Sequence, residues 1–264
     1  MQVLIRYSAA AVISIGLSQA AYAESDAELA KELSNPIASL TSVPFEYQYD
    51  DGIGPSGDGE RQTLLIKPVI PFSLNDEWNI ISRTIIPYIE LDDVTPGSSD
   101  SGTGDIVQSF FFSPKKPNAR GAVWGIGPIV QIPTSSSNGL GYNEWGAGIT
   151  GVILRQAGPW TFGGLASHVW DVGGTDVDQS DTFLQPFLAY NTKNLWTISA
   201  NTESTYDWED EEWSVPLNFK VSKLVTIGKQ RVSLSGTLRY WAESSDAGPE
   251  DLGFTLGATF LFPK

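Results

Sequence analysis

The stretch Leu195-Trp-Thr-Ile-Ser-Ala-Asn-Thr-Glu-Ser-Thr-Tyr-Asp-Trp208 decides the fold. Trp196, Ile198, Ala200, Thr202, Ser204, Tyr206 and Trp208 share one parity. Thr197, Ser199, Asn201, Glu203, Thr205 and Asp207 share the other, and all of them are polar. Successive side chains of a strand point to opposite faces, so a period of two held over this length specifies a strand and excludes a helix. A strand this long is unusual in a globular sheet and suits a tilted crossing of a bilayer.

The pattern repeats downstream. Trp213, Val215, Leu217, Phe219 and Val221 oppose Ser214, Asn218, Lys220 and Ser222. Val232, Leu234, Leu238 and Tyr240 oppose Arg231, Ser233, Ser235, Thr237 and Arg239. Leu252, Phe254, Leu256, Ala258, Phe260 and Phe262 close the series against Gly253, Thr255, Gly257 and Thr259. Upstream, alternation places strands near Ser42–Asp51, Arg61–Phe72, Trp78–Leu91, Gly104–Ser113, Gly121–Pro133, Trp145–Arg155, Pro159–Val172 and Thr182–Thr192. The expectation is an all-β, transmembrane, up-and-down antiparallel β-barrel of about 12 strands, residues 42–264, with a short N-terminal helix.

The connections support it independently. Asp51–Glu60, Asp92–Thr103, Ser135–Glu144, Gly173–Asp181, Glu209–Glu212 and Glu243–Glu250 are mostly long, and with their flanks they carry Asp or Glu but no Lys or Arg. Ser73–Glu77, Pro114–Arg120, Ala157–Gly158, Lys193–Asn194 and Thr226–Lys229 alternate with them, are mostly tight, and hold the basic residues Lys115, Lys116, Arg120, Lys193 and Lys229. Outer-membrane barrels keep tight turns in the periplasm and longer loops outside. A soluble sandwich has no reason to sort charge between its two ends. Aromatic residues also gather at two levels: Tyr88, Trp145, Trp170 and Trp208 near the outer strand ends, Phe72, Trp78, Trp160 and Trp196 near the inner ones. These are the two headgroup belts.

Composition narrows the partners. The formal charge is −15, and a pI near 4.3 argues against nucleic acid, which needs a basic face. There is no cysteine, so neither disulfides nor thiolate metal sites arise. Arg6, the apolar run from Ala9 to Leu17 and Ala21-Tyr22-Ala23 read as a secretory signal peptide over residues 1–23. Residues 24–41 follow as a periplasmic helix or plug, with Ala27, Ala30, Leu33 and Ile37 at helical spacings. It either caps the barrel mouth or hangs as a frayed periplasmic arm.

Little reads as chemistry. The lone histidine, His168, follows Ser167 directly, so on a strand the two side chains point to opposite faces and make a poor catalytic pair. Asp171, Asp176, Asp178 and Asp181 lack the closing Glu of an EF-hand and read as part of an acidic rim facing lipopolysaccharide. No catalytic residue, metal site or cofactor is assigned. The lumen is where function is sought, and alternation turns Lys67, Arg83, Asn201, Glu203, Asn218, Lys220 and Arg239 inward as the expected pore lining. A hairpin centred within Ser73–Glu77 sets Lys67 opposite Arg83, with Glu203 as the negative group across the barrel. Closure about Glu209–Glu212 sets Asn201 near Lys220 and Glu203 near Asn218. Inward Gly125, Gly127, Gly253 and Gly257 are read as open space.

The stretches Leu29-Ala-Lys-Glu-Leu-Ser-Asn-Pro-Ile-Ala-Ser-Leu40, Gly104-Asp-Ile-Val-Gln-Ser-Phe-Phe-Phe-Ser-Pro-Lys-Lys116 and Asn201-Thr-Glu-Ser-Thr-Tyr-Asp-Trp208 resemble Gram-negative outer-membrane "transporter" barrels. Those proteins are related to the barrels associated with the meta-pathway of phenol degradation. The resemblance covers nearly the whole mature chain and implies passive passage of small, hydrophobic or aromatic solutes. Its departure is at the C-terminus, where Pro263-Lys264 follow Phe262 and many such barrels end on Phe. The expected partners are outer-membrane lipid and lipopolysaccharide, a small-molecule solute, and the insertion machinery during biogenesis. The competing readings are a closed structural or adhesive barrel and a barrel lipid hydrolase.

Overall fold

The computed structural model describes residues 25–173 and 178–263; the signal-peptide reading of residues 1–23 and the acidic-rim residue Asp176 lie outside them. The chain forms a closed antiparallel barrel of 12 strands. In order they are β1 (Thr41–Ile53), β2 (Gly59–Ile66 and Val69–Ser73), β3 (Trp78–Asp92), β4 (Ser99–Thr103 and Ile106–Pro114), β5 (Ala122–Ile132) and β6 (Gly146–Ala157). Then follow β7 (Trp160–Asp171), β8 (Ser180–Asn191), β9 (Trp196–Thr202 and Ser204–Asp207), β10 (Glu212–Ile227), β11 (Gln230–Glu243) and β12 (Glu250–Phe262). Each pairs with its sequence neighbour, and β1 closes the barrel on β12 with Thr41 opposite Phe262 and Tyr49 opposite Phe254. Closure leaves no unpaired strand edge in lipid, which supplies no hydrogen bonds.

The three interruptions have local causes. Pro68 has no N–H to give its neighbours where β2 breaks. Asp105 breaks β4 by turning its carboxylate to the backbone N–H groups of Thr134, Ser135 and Asn143, at 3.1, 3.0 and 2.9 Å. Glu203 breaks β9 between the neighbouring strands' prolines, Pro186 and Pro216.

Two inner turns show why a tight connection suffices. Ala157 pairs with Trp160 and Ile227 with Gln230, leaving the two-residue loops Gly158-Pro159 and Gly228-Lys229. Gly158 and Gly228 sit at φ of 57° and 64°, the left-handed first position that fits the twist of the flanking strands.

Two registers differ from the sequence expectation by the same mechanism. Ser73 pairs with Asn79 and Val69 with Arg83, so Arg83 faces Val69 and not Lys67. The Asn75 side chain accepts from the N–H groups of Glu77 and Trp78, both at 2.9 Å, and moves the corner one residue along. At the outer end Asp207 pairs with Glu212, and its carboxylate accepts from the N–H groups of Glu209 and Asp210 at 2.8 and 3.2 Å. Trp208 thereby joins the turn. Asn201 consequently faces Asn218, and neither Asn201 with Lys220 nor Glu203 with Asn218 is a pair.

The N-terminal segment lies against the barrel's inner wall. Helix α1 (Asp26–Glu32) starts with a capping box in which Ser25 and Glu28 satisfy each other's backbone N–H. Leu29 and Ala30 bury themselves with Ala38, Leu40, Leu224 and Leu261. Ile37 packs among Ile81, Phe111, Val152, Leu154 and Leu165, which come from four different strands. The opposite face of the wall exposes Leu64, Ile126, Ile153, Phe219, Leu238 and Leu256. Such an apolar exterior is stable only in hydrocarbon.

Candidate functional site

Inside a closed barrel, inward side chains from non-adjacent strands converge, and here they form two ionic layers above the N-terminal segment. In the first, Glu46 of β1 ion-pairs with Lys67 of β2 and, at 3.5 Å, with Lys220 of β10. In the second, Asp50 of β1, only 1% exposed, meets Arg61 and Arg239 at 3.2 Å each. Its Oδ1 also accepts from Nε1 of Trp241 at 3.0 Å. These two carboxylates of β1 are inward groups that the expected pore lining does not include. Their signal was the same alternation: Val43, Phe45, Tyr47 and Tyr49 against Ser42, Pro44, Glu46, Gln48 and Asp50.

The sequence-derived residues fall as follows. Lys67 and Lys220 share Glu46, and Arg239 belongs to Asp50. Glu203 does not bridge to Lys67; its Oε1 accepts from Gln185 Nε2 at 3.0 Å. Asn201 and Asn218 face each other, and the Oδ1 of each is buried with no hydrogen-bond partner among the described residues. Arg83 takes part in none of the ion pairs among the described residues, although it lies in the fields of Glu203 and Glu46.

The inward glycines are not empty space. A Cβ on Gly125 would stand 3.2 Å from that of Phe111 and 3.4 Å from Ile37 Cδ1, so this glycine makes room for the plug contact. At Gly127 an added carbon would run into the Phe110 carbonyl. At Gly253 it would stand 2.6 Å from the Asp50 carboxylate, and at Gly257 3.6 Å from Glu46 Cγ. These two glycines let the β1 carboxylates reach across β12.

Space remains beside the N-terminal segment. One cavity of about 220 Å³ lies between Leu33, Pro36 and the β8–β11 wall, including Phe187, Ser199, Ser222 and Ser235. Another of about 180 Å³ adjoins it across Leu33, Pro36 and Lys220, and is walled by Lys67, Arg83, Glu46 and Val69. The segment is fixed by few polar contacts. Arg231 Nε meets Asp26 at 2.6 Å, Gln156 donates to the Lys31 carbonyl at 2.9 Å, and Asn79 donates to Ser39 Oγ at 3.1 Å.

His168 sits on the exterior. It pairs across strands with Ile149 and Thr182, and its ring sits tilted by 57° against Trp170, the centroids 4.1 Å apart. Thr182 Oγ1 lies 2.7 Å from its Nδ1 and also accepts from Trp208 Nε1 at 2.8 Å. Nε2 is buried with no hydrogen-bond partner among the described residues, while the buried Ser167 occupies the opposite parity. A serine-hydrolase base needs a serine hydroxyl within hydrogen-bond reach, and among the described residues the hydroxyl beside the His168 ring is that of Thr182. The described residues also hold no cluster of His, Asp and Glu that could ligate a metal.

No protein-family model matches the chain, and no curated protein matches it. Among solved structures it is similar to an outer membrane channel from Pseudomonas putida F1, with a TM-score of 0.65 at 15% identity, over 85% of this chain and 96% of that one. The chain has the fold of an outer-membrane β-barrel. Lower likenesses run to outer membrane phospholipase A from Escherichia coli, TM-score 0.47 at 12% identity over 86% of this chain and 99% of that one. The anion-selective porin from Comamonas acidovorans follows, TM-score 0.42 at 8% identity over 84% and 98%. At these identities only the barrel architecture is common ground.

Proposed function

We propose that the barrel is a channel for passive passage of small solutes with apolar bodies, closed at rest by residues 25–40. The observation that carries this is the apolar inner wall. Porin lumens are polar, whereas Ile81, Phe111, Val152, Leu154 and Leu165 face inward here, flanked by Val123, Phe183 and Phe187. Ile37 covers that wall now, so displacing the segment uncovers an apolar track toward the periplasmic end. The resemblance to barrels of aromatic catabolism fits the same solute class.

A sealed structural barrel is the second reading, favoured by the Glu46 and Asp50 ion networks. Planar-bilayer recording separates the two. Protein lacking residues 25–40 conducts in larger or more frequent steps than the full mature chain, and replacing Lys67 and Arg83 together by Gln moves its reversal potential toward cations. A truncated barrel that inserts and stays silent makes the sealed reading the better one. The hydrolase reading is tested on phospholipid vesicles. A rate about a hundredfold above a Ser167→Ala, His168→Ala control, the scale of losing a general base, would restore it.

A further inference from the structure

Arg83 is a lumen cation that takes part in none of the ion pairs among the described residues. A guanidinium stays protonated at any physiological pH, so its charge inside a protein has to be compensated. Both oxygens of Glu46 are taken, Oε2 by Lys67 and Oε1 by Lys220. The Oε1 of Glu203 is held by Gln185. Both carboxylates act on Arg83 at a distance, and neither lies within ion-pair reach of it. Arg83 instead borders the cavity of about 180 Å³, together with Lys67, Lys220 and Glu46. Glu32 closes the same cavity from the N-terminal segment and has interactions of its own.

We propose that this cavity is a binding site for small monocarboxylates with an apolar body, the carboxylate seated on Arg83 between Lys67 and Lys220. The proposal deepens the channel reading by naming a solute class, and it rests on that reading. Charge selects a monoanion. Among the groups that line the cavity, Lys67, Arg83 and Lys220 stand against Glu46 and Glu32, three positive groups against two negative, so one added negative charge balances the lining and a dianion overshoots it. Geometry selects a carboxylate, because a guanidinium presents parallel N–H donors that match its two oxygens. The rest of the cavity selects the body: Leu33, Pro36, Pro44 and Val69 offer hydrocarbon, and Val69 lies directly across the strand pair from Arg83.

The test is isothermal titration of the purified full-length mature protein in detergent, with benzoate as probe, benzamide as its neutral counterpart and sulfate as an inorganic anion. Benzoate is expected to bind saturably and at least about 10-fold more tightly than either comparison ligand, the scale of one charge-assisted contact. Arg83→Gln should weaken benzoate by at least about 10-fold, with Arg83→Lys recovering part of it. Heat-modifiable gel migration verifies that each variant is folded. Should Arg83→Gln not fold, solid-state NMR on the wild type replaces it, with dipolar recoupling from a 13C-carboxylate benzoate to 15N-arginine guanidinium. Absence of benzoate binding, equal binding of benzamide or sulfate, indifference to Arg83→Gln, or no recoupling overturns the site. Benzoate binding with no conductance from full-length or truncated protein retains the site and overturns the channel reading; conductance without benzoate binding does the reverse.

Discussion

A carboxylate with 1% of its side-chain surface exposed stays ionised only where fixed positive groups replace its water, and Asp50 has Arg61, Arg239 and the Trp241 indole. Such a network contributes less net stability than its contact energies suggest, because desolvation opposes it, yet breaking it is costly. Asp50→Asn keeps an acceptor for the indole and leaves Arg239, 6% exposed in its side chain, without a counter-charge. The expected loss is about 3–5 kcal/mol, the range for removing one partner of a buried ion pair. Urea unfolding in lipid vesicles followed by tryptophan fluorescence measures it, and a loss under about 1 kcal/mol, the surface-pair range, would mean that water reaches the layer. At this scale the inward set was readable from parity alone. Which acid serves which base was not, since Glu46 meets Lys220 across two intervening strands.

Turns and the N-terminal helix are the elements whose local chemistry had consequences beyond themselves. Asn75 and Asp207 each cap a corner and move a whole hairpin by one step, which is why Arg83 faces Val69 and is free of Lys67. Nothing stands within 4 Å of an added Cβ at Gly228, so Gly228→Ala tests backbone conformation alone. It should cost about 1–2 kcal/mol, the left-handed penalty of an L-residue, in the same unfolding assay. In α1 the backbone N–H of Ser25, and then its hydroxyl, hold the Glu28 carboxyl below its ordinary value of 4.5. A folded-state value that is depressed contributes stability above the unfolded value and loses it as pH falls through the folded one. Amide exchange of α1 should therefore show the wild type better protected than Glu28→Gln at neutral pH, with the difference vanishing as pH drops below 4.5. A difference that grew with acid would contradict the capping role.

Across the whole molecule, charge is sorted along the barrel axis. The outer connections gather acid, and burial, followed by Asp181 and Asp207, pushes the Tyr142 phenol far above its ordinary value in the loop between β5 and β6. The inner turns carry Lys115, Lys116, Arg120, Lys193 and Lys229. Single cysteines at Ser99 and Ser136 should react with a membrane-impermeant maleimide on intact cells, and one at Asn118 should react only after the outer membrane is permeabilised. Labelling of Asn118 alone on intact cells would invert the orientation.

Strand number, the face each side chain takes and the sorting of loops were determined by the sequence, because the period of two and the charge of a turn are local properties that survive any stagger of the strands. Leu195–Trp208 carries the alternation, down to the inward Asn201 and Glu203. The tertiary structure decided what the interior does. Closure and stagger bring β1 to β10 and β11, so Glu46 and Asp50 find their bases only in the assembled barrel. Ile37 reaches Phe111 and Leu165 only because Gly125 leaves room once the wall curves around it. Alternation assigns a side chain to a face, while the distance across a lumen depends on where every strand ends up along the axis, and two capped corners set that for Arg83 and Asn201.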